Sequence, residues 1–251
     1  RERYAEITAM DRAIGTLRDY LELEGLRENT LLWYHGDNGT PSSGVADAPL
    51  RGLKGTMYEG GIRVPGIIEW PVRIVTPRTS QIPAITSDIL PTVVALAGQE
   101  VPNRPLDGVD LQALVDNSMS SRLEPLFFWS FNIEGLAGRK RDPYIAPELQ
   151  AGTTPLVKLM NGIATRNFQN LQYPRVDARD FDGPRVVLDN DYKLVIGGSV
   201  APSVELFNLR DDPSEQHNLA GREPAVVRKL GNQLREWQHS TLNSLTGADY
   251  R

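Results

Sequence analysis

The stretch from Trp33 to Pro65, WYHGDNGTPSSGVADAPLRGLKGTMYEGGIRVP, constrains the fold of this chain more than any other segment. It begins inside the run NTLLWYHG, which is short, apolar and rich in strand formers, and which predicts a buried strand. Asp37 and Asn38 therefore follow the carboxyl end of that strand. Open α/β sheets bind ligands at this edge, so the loops that follow are the first candidate for a site.

The elements around this stretch alternate between helix and strand patterns. IRVPGIIEWP predicts the next strand, and AITSDILPTVVALAGQ predicts a helix that Pro91 kinks or restarts and that ends near Gly98. We therefore expect residues 1–120 to form an α/β domain, a mostly parallel sheet with helices on its faces. An N-terminal amphipathic helix, ending at Gly25, is predicted by apolar residues at steps of three and four: Tyr4, Ile7, Met10, Ile14, Leu17 and Leu21.

Residues 121–251 have a different character and predict an α+β subdomain. PLFFWSFN predicts a strand, RVVLDNDYKLVIGG a hairpin that turns at Asn190-Asp191, and SVELFNLRDD a further strand. EPAVVRKLGNQLREWQHSTLNSL predicts a closing amphipathic helix against this antiparallel sheet. Between these elements, residues 132–185 are irregular and carry eight Lys or Arg against six Asp or Glu. We expect this segment to be an insertion on the substrate side.

Composition excludes several classes of function. The 251 residues carry a net charge of -5, which gives no electrostatic support to a general nucleic-acid-binding role. No apolar run approaches the roughly 20 residues that a membrane-spanning helix needs, so no membrane span is expected. The absence of cysteine excludes disulfides, thiolate metal sites and a cysteine nucleophile within this chain.

The Asp-Asn-Gly turn offers ligands for a hard cation. The Asp37 carboxylate and the Asn38 side-chain carbonyl are adjacent oxygen donors of the kind that Ca²⁺ and Mg²⁺ take, and Gly39 lets the backbone turn sharply beside them. The same three residues are also a common surface turn. The turn alone therefore leaves both interpretations open.

Lys54 and His35 are the candidate catalytic side chains of the stretch. Lys54 lies between Gly52 and Gly55, which would let a ligand approach the backbone, and its ammonium suits a tetrahedral oxyanion. The spacing is not that of a phosphate-binding P-loop, and a lysine of this kind is also compatible with a solvated charge. His35 could serve as an acid or base, although a histidine at a strand end is more often a packing residue. The i,i+4 spacing of Glu59 and Arg63 indicates a pair that braces the loop.

Taken together, these segments resemble the type I sulfatases, the formylglycine-dependent sulfatases of the alkaline phosphatase superfamily. The matching motifs follow the family's order and are HGDNG, LRGLKGTMYEGGIRVP, SDILPTVVALAG, PLDGVDL, DYKLV and ELFNLRDDPSEQHNLA. They cover most of the chain outside residues 132–185, and the lysine-loop motif is the most specific of them. The resemblance implies an alkaline-phosphatase-like fold and sulfate ester hydrolysis.

The resemblance also implies roles for individual residues. In such enzymes the aspartate and asparagine of the Asp-Asn-Gly turn bind a divalent ion, generally Ca²⁺, and this role falls on Asp37 and Asn38. The lysine of the Lys-Gly-Thr loop contacts the sulfate, and this role falls on Lys54. An anionic and a cationic group then share one loop region because a metal lies on one side of the site and a sulfate ester on the other.

One departure from the family pattern limits what this chain can do alone. The family makes its formylglycine nucleophile from a Cys/Ser-x-Pro-x-Arg motif near the N-terminus, and this sequence has neither a cysteine nor a Ser-x-Pro-x-Arg. We therefore expect the formylglycine, and two further metal-binding aspartates, in an N-terminal part of the protein that this chain lacks. Ca²⁺ takes six to eight oxygen ligands, so the chain by itself is expected to bind the ion weakly and to show no turnover.

The expected substrate is a sulfated carbohydrate or other sulfated small molecule, and the family implies an exported protein. Basic residues of the irregular segment 132–185 are candidates for contacts with an anionic glycan, or alternatively scattered surface charge: Arg139, Lys140, Arg141, Arg166, Arg175 and Arg179. Two other functions remain open. One is a phosphodiesterase or phosphonate hydrolase of the same superfamily, and the other is a non-catalytic, sulfatase-like binding remnant.

Overall fold

A computed structural model describes residues 2–41, 49–131, 159–160, 163–164, 175–198 and 203–250. The chain begins with helix α1, Glu2–Leu23. It ends as predicted at Gly25, whose φ of 66° is in the left-handed region, and the N–H of Leu26 donates to the Leu21 carbonyl. Of the predicted apolar stripe, Ile14 and Leu21 are half-buried, whereas Tyr4, Ile7 and others are exposed.

Strands β1, Leu32–His35, and β2, Gly66–Glu69, form the sheet of the N-terminal part. They pair antiparallel, with Trp33 opposite Ile68. The expectation of a parallel pairing here is wrong. Parallel strands are usually joined by a crossover helix that packs on the sheet. The described residues between these two strands hold loops and the one-turn helix α2, Glu59–Ile62.

The segment after β2 packs against the rest of the chain through short helices. A 3₁₀ turn at Thr86–Asp88 leads directly into helix α3, Ile89–Leu96, so that Pro91 lies in the first turn, where a proline is tolerated. Gly98 follows the end of α3 with a φ of 65°, as the sequence predicts. Helix α4, Gln112–Val115, is a single turn.

The C-terminal part contains a four-stranded antiparallel sheet, which confirms the predicted α+β architecture. The strand order is β3-β6-β7-β8, and β6 and β7 form a hairpin at Asn190, which has a φ of 51°. A separate short hairpin pairs two further strands, and helix α5 closes the chain. The bounds are β3 Leu126–Trp129, β4 Leu159–Met160, β5 Ile163–Ala164, β6 Arg185–Asp189, β7 Tyr192–Ile196, β8 Val204–Asn208 and α5 Pro224–Leu245.

Both faces of this sheet are buried, each against a different partner. Successive side chains of a strand point to opposite faces, so the two faces carry different residues. On one face Val187, Leu194 and Leu206 pack against Leu230 and Leu234 of α5. On the other face the sheet packs against the loop that carries Lys54, through Met57, Tyr58, Val186, Val195 and Phe207. The C-terminal sheet therefore supports that loop by packing against it.

Candidate functional site

The structure brings the Asp-Asn-Gly turn and the lysine loop together through their backbones. The N–H of Gly39 donates to the Gly61 carbonyl at 3.0 Å, and the N–H of Thr40 donates to the Gly60 carbonyl at 2.8 Å. The N–H of Lys54 itself donates to the Thr40 carbonyl at 2.7 Å. These three bonds hold Asp37, Asn38 and Lys54 on adjoining loops.

Glycines make this close approach of the two loops possible. A Cβ on Gly39 would lie 2.3 Å from the Gly60 carbonyl oxygen, and a Cβ on Gly60 would lie 2.2 Å from the Gly52 carbonyl oxygen. A Cβ on Gly61 would lie 2.3 Å from the Thr56 carbonyl oxygen. The atoms that such a Cβ would meet belong to the backbone and cannot move aside as a side chain can. Close packing between the loops therefore explains why glycines stand at the two positions after Glu59.

The two glycines beside Lys54 have different roles. Gly52 has a φ of 79°, and a Cβ there would meet the Thr56 hydroxyl at 2.4 Å, so the loop itself fills the space that we expected a ligand to use. Gly55 has a φ of 90° and faces open space, because a Cβ on this residue would meet no atom within 4 Å. Close approach of a ligand to the backbone is therefore possible at Gly55 and not at Gly52.

The Asp-Asn pair fits a hard cation as part of a ligand set. The Asp37 side chain is exposed and has no hydrogen bond or ion pair with the described residues. The Asn38 amide nitrogen donates to the Gly39 carbonyl at 3.1 Å, which leaves its side-chain oxygen as the free end of the amide. Within the described part of the chain no three His, Asp or Glu side chains come together as a metal site. The pair therefore supplies two of the six or more oxygens that Ca²⁺ takes.

Lys54 lies at an exposed position on a braced loop. Among the described residues its ammonium has no carboxylate partner. The loop around it is closed by Thr56, whose hydroxyl donates to the Leu53 carbonyl at 2.9 Å and accepts from the Leu53 N–H at 3.1 Å. A lysine without an internal counter-ion is available to an external anion.

The remaining predicted site residues are less closely tied to this pair of loops. The Nδ1 of His35, on β1, lies 2.8 Å from the Gly36 carbonyl oxygen, which can only accept a hydrogen bond. Arg175 is exposed, and Arg179 forms a 3.3 Å ion pair with Asp177. Arg139, Lys140, Arg141 and Arg166 lie outside the described residues. The roles proposed for His35 and these arginines stay predictions.

A buried charge cluster beneath the lysine loop was not predicted from the sequence. Lys193, on β7, is fully buried, and its Nζ lies 2.9 Å from Glu59 Oε1 and 2.7 Å from Glu215 Oε1. The Glu59–Arg63 pair that the spacing indicates is present at 3.8 Å. Burial raises the pKa of Glu215, against the opposing effect of the Lys193 charge.

Sequence comparison finds sulfatases. The Sulfatase family description matches residues 1–99. Human arylsulfatase A (Homo sapiens) is 41% identical over 124 residues, which cover 48% of this chain and 24% of that protein. Arylsulfatase J of Mus musculus is 28% identical over 261 residues, covering 96% of this chain and 40% of that protein. The chain thus spans about a quarter to two fifths of the length of these relatives.

Structural comparison gives the same fold over nearly the whole chain. The crystal structure of Ps i-CgsB in complex with k-i-k-neocarrahexaose superposes with a TM-score of 0.65 at 25% identity, covering 93% of this chain and 42% of that one. A phosphonate monoester hydrolase of Agrobacterium radiobacter superposes with a TM-score of 0.57 at 20% identity, covering 92% of this chain and 40% of that one. The alkaline-phosphatase-like fold expected from the sequence is confirmed.

These matches define what the chain is similar to. Residues 1–99 match the sulfatase family, and the sequence and fold of the chain are similar to those of sulfatases. No helix in the described residues has the length and apolar character to cross a membrane.

Proposed function

We propose that this chain is the C-terminal part of a sulfatase that hydrolyses sulfate esters, and that it supplies two metal ligands and the lysine that contacts the sulfate. The observation that carries the proposal is the set of three backbone hydrogen bonds between the Asp-Asn-Gly turn and the lysine loop. The Lys54 N–H donates directly to the carbonyl of Thr40, two residues after Asn38, and this supports the proposal that the turn and the Lys54 ammonium serve one site.

Each residue has a definite task in this proposal. Asp37 and Asn38 offer oxygens to a divalent cation, Ca²⁺ or another of similar hardness, which when bound would neutralise part of the charge of the sulfate group. Lys54 directs its ammonium at the sulfuryl oxygens and stabilises the negative charge that develops on the leaving oxygen. The formylglycine nucleophile of the family would come from residues outside this chain.

A sulfated carbohydrate is the proposed substrate class. The related Ps i-CgsB was solved with an oligosaccharide, k-i-k-neocarrahexaose, and a glycan offers several anionic groups for basic side chains outside the loops. Arg175, which is exposed in the net-positive segment, is one such candidate, and Arg139 and Arg166 are others in that segment. The localisation proposed with this function is outside the cytoplasm.

The test uses the native protein that contains this chain, with sulfate release from a sulfated oligosaccharide as the readout. Lys54→Ala is expected to lower kcat/KM by about 10²–10³-fold, the range measured when one oxyanion-stabilising donor is removed. Arg228→Ala, which removes an exposed positive charge from α5, is the matched control and should leave the rate unchanged. Equal rates for Lys54→Ala and the unsubstituted protein would contradict the proposal.

The same protein distinguishes the alternatives. The likeness to a phosphonate monoester hydrolase concerns the fold, and turnover of a phosphonate or phosphate ester in preference to sulfate esters would replace sulfatase by that activity. Intact mass of the native protein separates the third candidate, a binding remnant. A native mass equal to the 27.9 kDa of this chain would favour the remnant, and a much larger mass would favour a two-part enzyme.

A further inference from the structure

The lysine loop is held at both of its ends, and at its tip the backbone N–H of Lys54 donates to the Thr40 carbonyl while the Lys54 side chain is exposed. The segment from Arg51 to Glu59 carries Lys54 and Gly55 at its exposed tip. The two ends of this segment lie against the C-terminal sheet, where Met57 and Tyr58 are buried. The direction of the Lys54 side chain therefore depends on how the ends are fixed.

Glu215 contacts both ends of the loop. Its carboxylate oxygen Oε2 accepts the N–H of Glu59 at 2.7 Å, and its backbone carbonyl accepts from the Arg51 guanidinium at 3.1 Å. Glu215 is 1% exposed and has a φ of 55°, a backbone conformation that residues other than glycine seldom adopt. Such a conformation persists only where surrounding contacts fix it. Here the contacts are those with the loop, the bond from the Glu215 N–H to the Asp212 carbonyl, and the ion pair with Lys193.

Glu205, on β8, also contacts both ends. Its Oε1 lies 3.0 Å from the Arg51 guanidinium, and its Oε2 accepts from the Tyr58 hydroxyl at 2.5 Å. The Arg51 guanidinium lies 3.9 Å from the centre of the Tyr58 ring, so the first and last parts of the loop also contact each other directly. Two glutamates of the C-terminal sheet and its following turn thus bridge the same loop.

Lys193 also links the loop to the C-terminal part, because its ammonium pairs with one carboxylate from each. It lies between Glu59 of the loop and Glu215 of the C-terminal turn, in a place from which water is excluded. Buried ion clusters of this kind can be replaced by apolar residues with no loss of stability, so stability alone does not account for them. Charged hydrogen bonds do fix the orientation of the segments that they join, because they have a preferred geometry that apolar contacts lack.

We propose that Glu205, Glu215 and Lys193 are positioning residues, through which the C-terminal sheet sets the orientation of Lys54 towards the sulfate. The inference rests on the proposed function of Lys54. It assigns the C-terminal part a role in the reaction although the side chains of Lys193 and Glu215 are fully buried and that of Glu205 is 12% exposed. A displacement of about 1 Å in a catalytic group can lower a rate by about 100-fold, so loosening the loop ends has a measurable effect.

The first experiment measures the loop directly, without substrate. Amide hydrogen exchange is followed by mass spectrometry in the native protein and in Glu205→Gln, Glu215→Gln and the control Glu236→Gln, which changes an exposed glutamate of α5. In the first two variants we expect at least tenfold faster exchange in peptides covering residues 51–61, with unchanged exchange in β6 and β7. Equal acceleration in the loop and the strands would indicate a general loss of stability and would overturn the proposal.

The second experiment is a double-mutant cycle on the rate of sulfate release. Glu215→Gln is expected to lower kcat about tenfold or more in the presence of Lys54, and to have little further effect in a Lys54→Ala background. Equal factors in both backgrounds would overturn the positioning role. If Lys54→Ala alone leaves the rate unchanged, the proposed function fails and the positioning role fails with it, while the exchange data still report whether Glu205 and Glu215 hold the loop.

Discussion

At the scale of single residues, the contact between the two site loops depends on the absence of a side chain at Gly39. Gly39→Ala would place a methyl group against the backbone of Gly60 and Gly61, so we expect a loss of about 1–3 kcal/mol in the free energy of unfolding. Gly66→Ala is the control, because its added methyl meets no atom within 4 Å. Urea denaturation measures both, and equal stabilities would contradict the packing argument.

A second residue-scale prediction concerns the pH dependence of stability. Burial raises the pKa of Glu215 in the folded protein above its unfolded value. The unfolded state therefore releases this proton at lower pH, and the contribution of Glu215 to stability is full below the unfolded pKa and lost as pH rises through the folded pKa. Asp212, in the same turn, has the opposite effect on the pH dependence of stability, at lower pH. Burial raises the pKa of Asp212, but hydrogen bonds from the backbone N–H groups of Gln216 and His217 lower this pKa by more.

The measurement for Glu215 is a series of urea denaturations from about pH 4.5 upward, the ordinary carboxyl pKa being near this lower limit. The unsubstituted chain should lose stability over this range relative to Glu215→Gln, whose neutral amide does not titrate. The neighbouring charges, Lys193 and Glu59, are present in both proteins. A constant difference between the two proteins across the range would show that Glu215 keeps its ordinary pKa.

The sequence reveals candidate site residues that are close along the chain, and it does not reveal contacts between residues that are far apart along it. Asp37, Asn38 and Lys54 stand out because their chemistry is concentrated in one short stretch, and the Glu59–Arg63 pair follows from helical spacing. Lys193 has no such signal, because its partner Glu59 lies 134 residues away and only the folded sheet brings them together. Buried charges with distant partners are the part of a site that one sequence cannot give.

At the scale of elements, a buried ion pair joins the turn before α3 to the segment that precedes β3. Arg122 and Asp88 form two hydrogen bonds of 2.8 Å with almost no solvent exposure. Asp88 also accepts from the Val109 and Ile85 N–H groups, so it fixes two loops as well. Asp88→Asn should lower the free energy of unfolding by about 3–5 kcal/mol, because it leaves the Arg122 charge buried without its counter-ion.

The matched control for this prediction is Asp116→Asn. Asp116 pairs with Arg73 at 2.5 Å, but its side chain is 47% exposed, so its loss is expected to change stability by at most about 1 kcal/mol. Thermal or urea denaturation of both variants gives the comparison. Similar small losses for the two aspartates would mean that the buried pair adds little to the contact between the two segments that it joins.

Elements were predictable where a local pattern decides them. The 3.6-residue repeat of apolar residues gives α5, and the Asn190 turn between alternating apolar runs gives the β6–β7 hairpin. The pairing of β1 with β2 is different, since strand direction depends on the path of the chain between them. Alternation of strand and helix patterns favours parallel pairing in general. Here the connection between β1 and β2 carries the two loops, and the strands pair antiparallel.

At the scale of the whole molecule, the described residues place the loops of the candidate site against a C-terminal sheet that supports them. The sheet buries one face against α5 and the other against Met57 and Tyr58 of the lysine loop. A change deep in the C-terminal sheet therefore acts on the site through packing and buried charge. The division into residues 1–120 and 121–251 stays a prediction, and these contacts cross that boundary.

Helix α1 presents an apolar surface that leads to the last prediction. Tyr4 is 78% exposed, Ile7 55% and Leu17 44%, on the stripe that the sequence predicts as a packing face. Exposed apolar stripes of this kind favour association, so the isolated 251-residue chain is expected to self-associate at micromolar concentration. Sedimentation velocity should show a smaller particle for the double variant Ile7→Glu with Leu17→Glu.

The control for this prediction distinguishes the effect of added charge on association from the effect of lost apolar surface. Ala9→Glu with Ala13→Glu adds the same two charges to exposed positions of α1 but removes little apolar surface. If association is driven by the apolar stripe, the control stays associated while the stripe variant becomes monomeric. A monomeric unsubstituted chain would contradict the prediction, and equal dissociation of both variants would assign the association to net charge. In either case the measurement decides whether α1 needs another surface against which to pack.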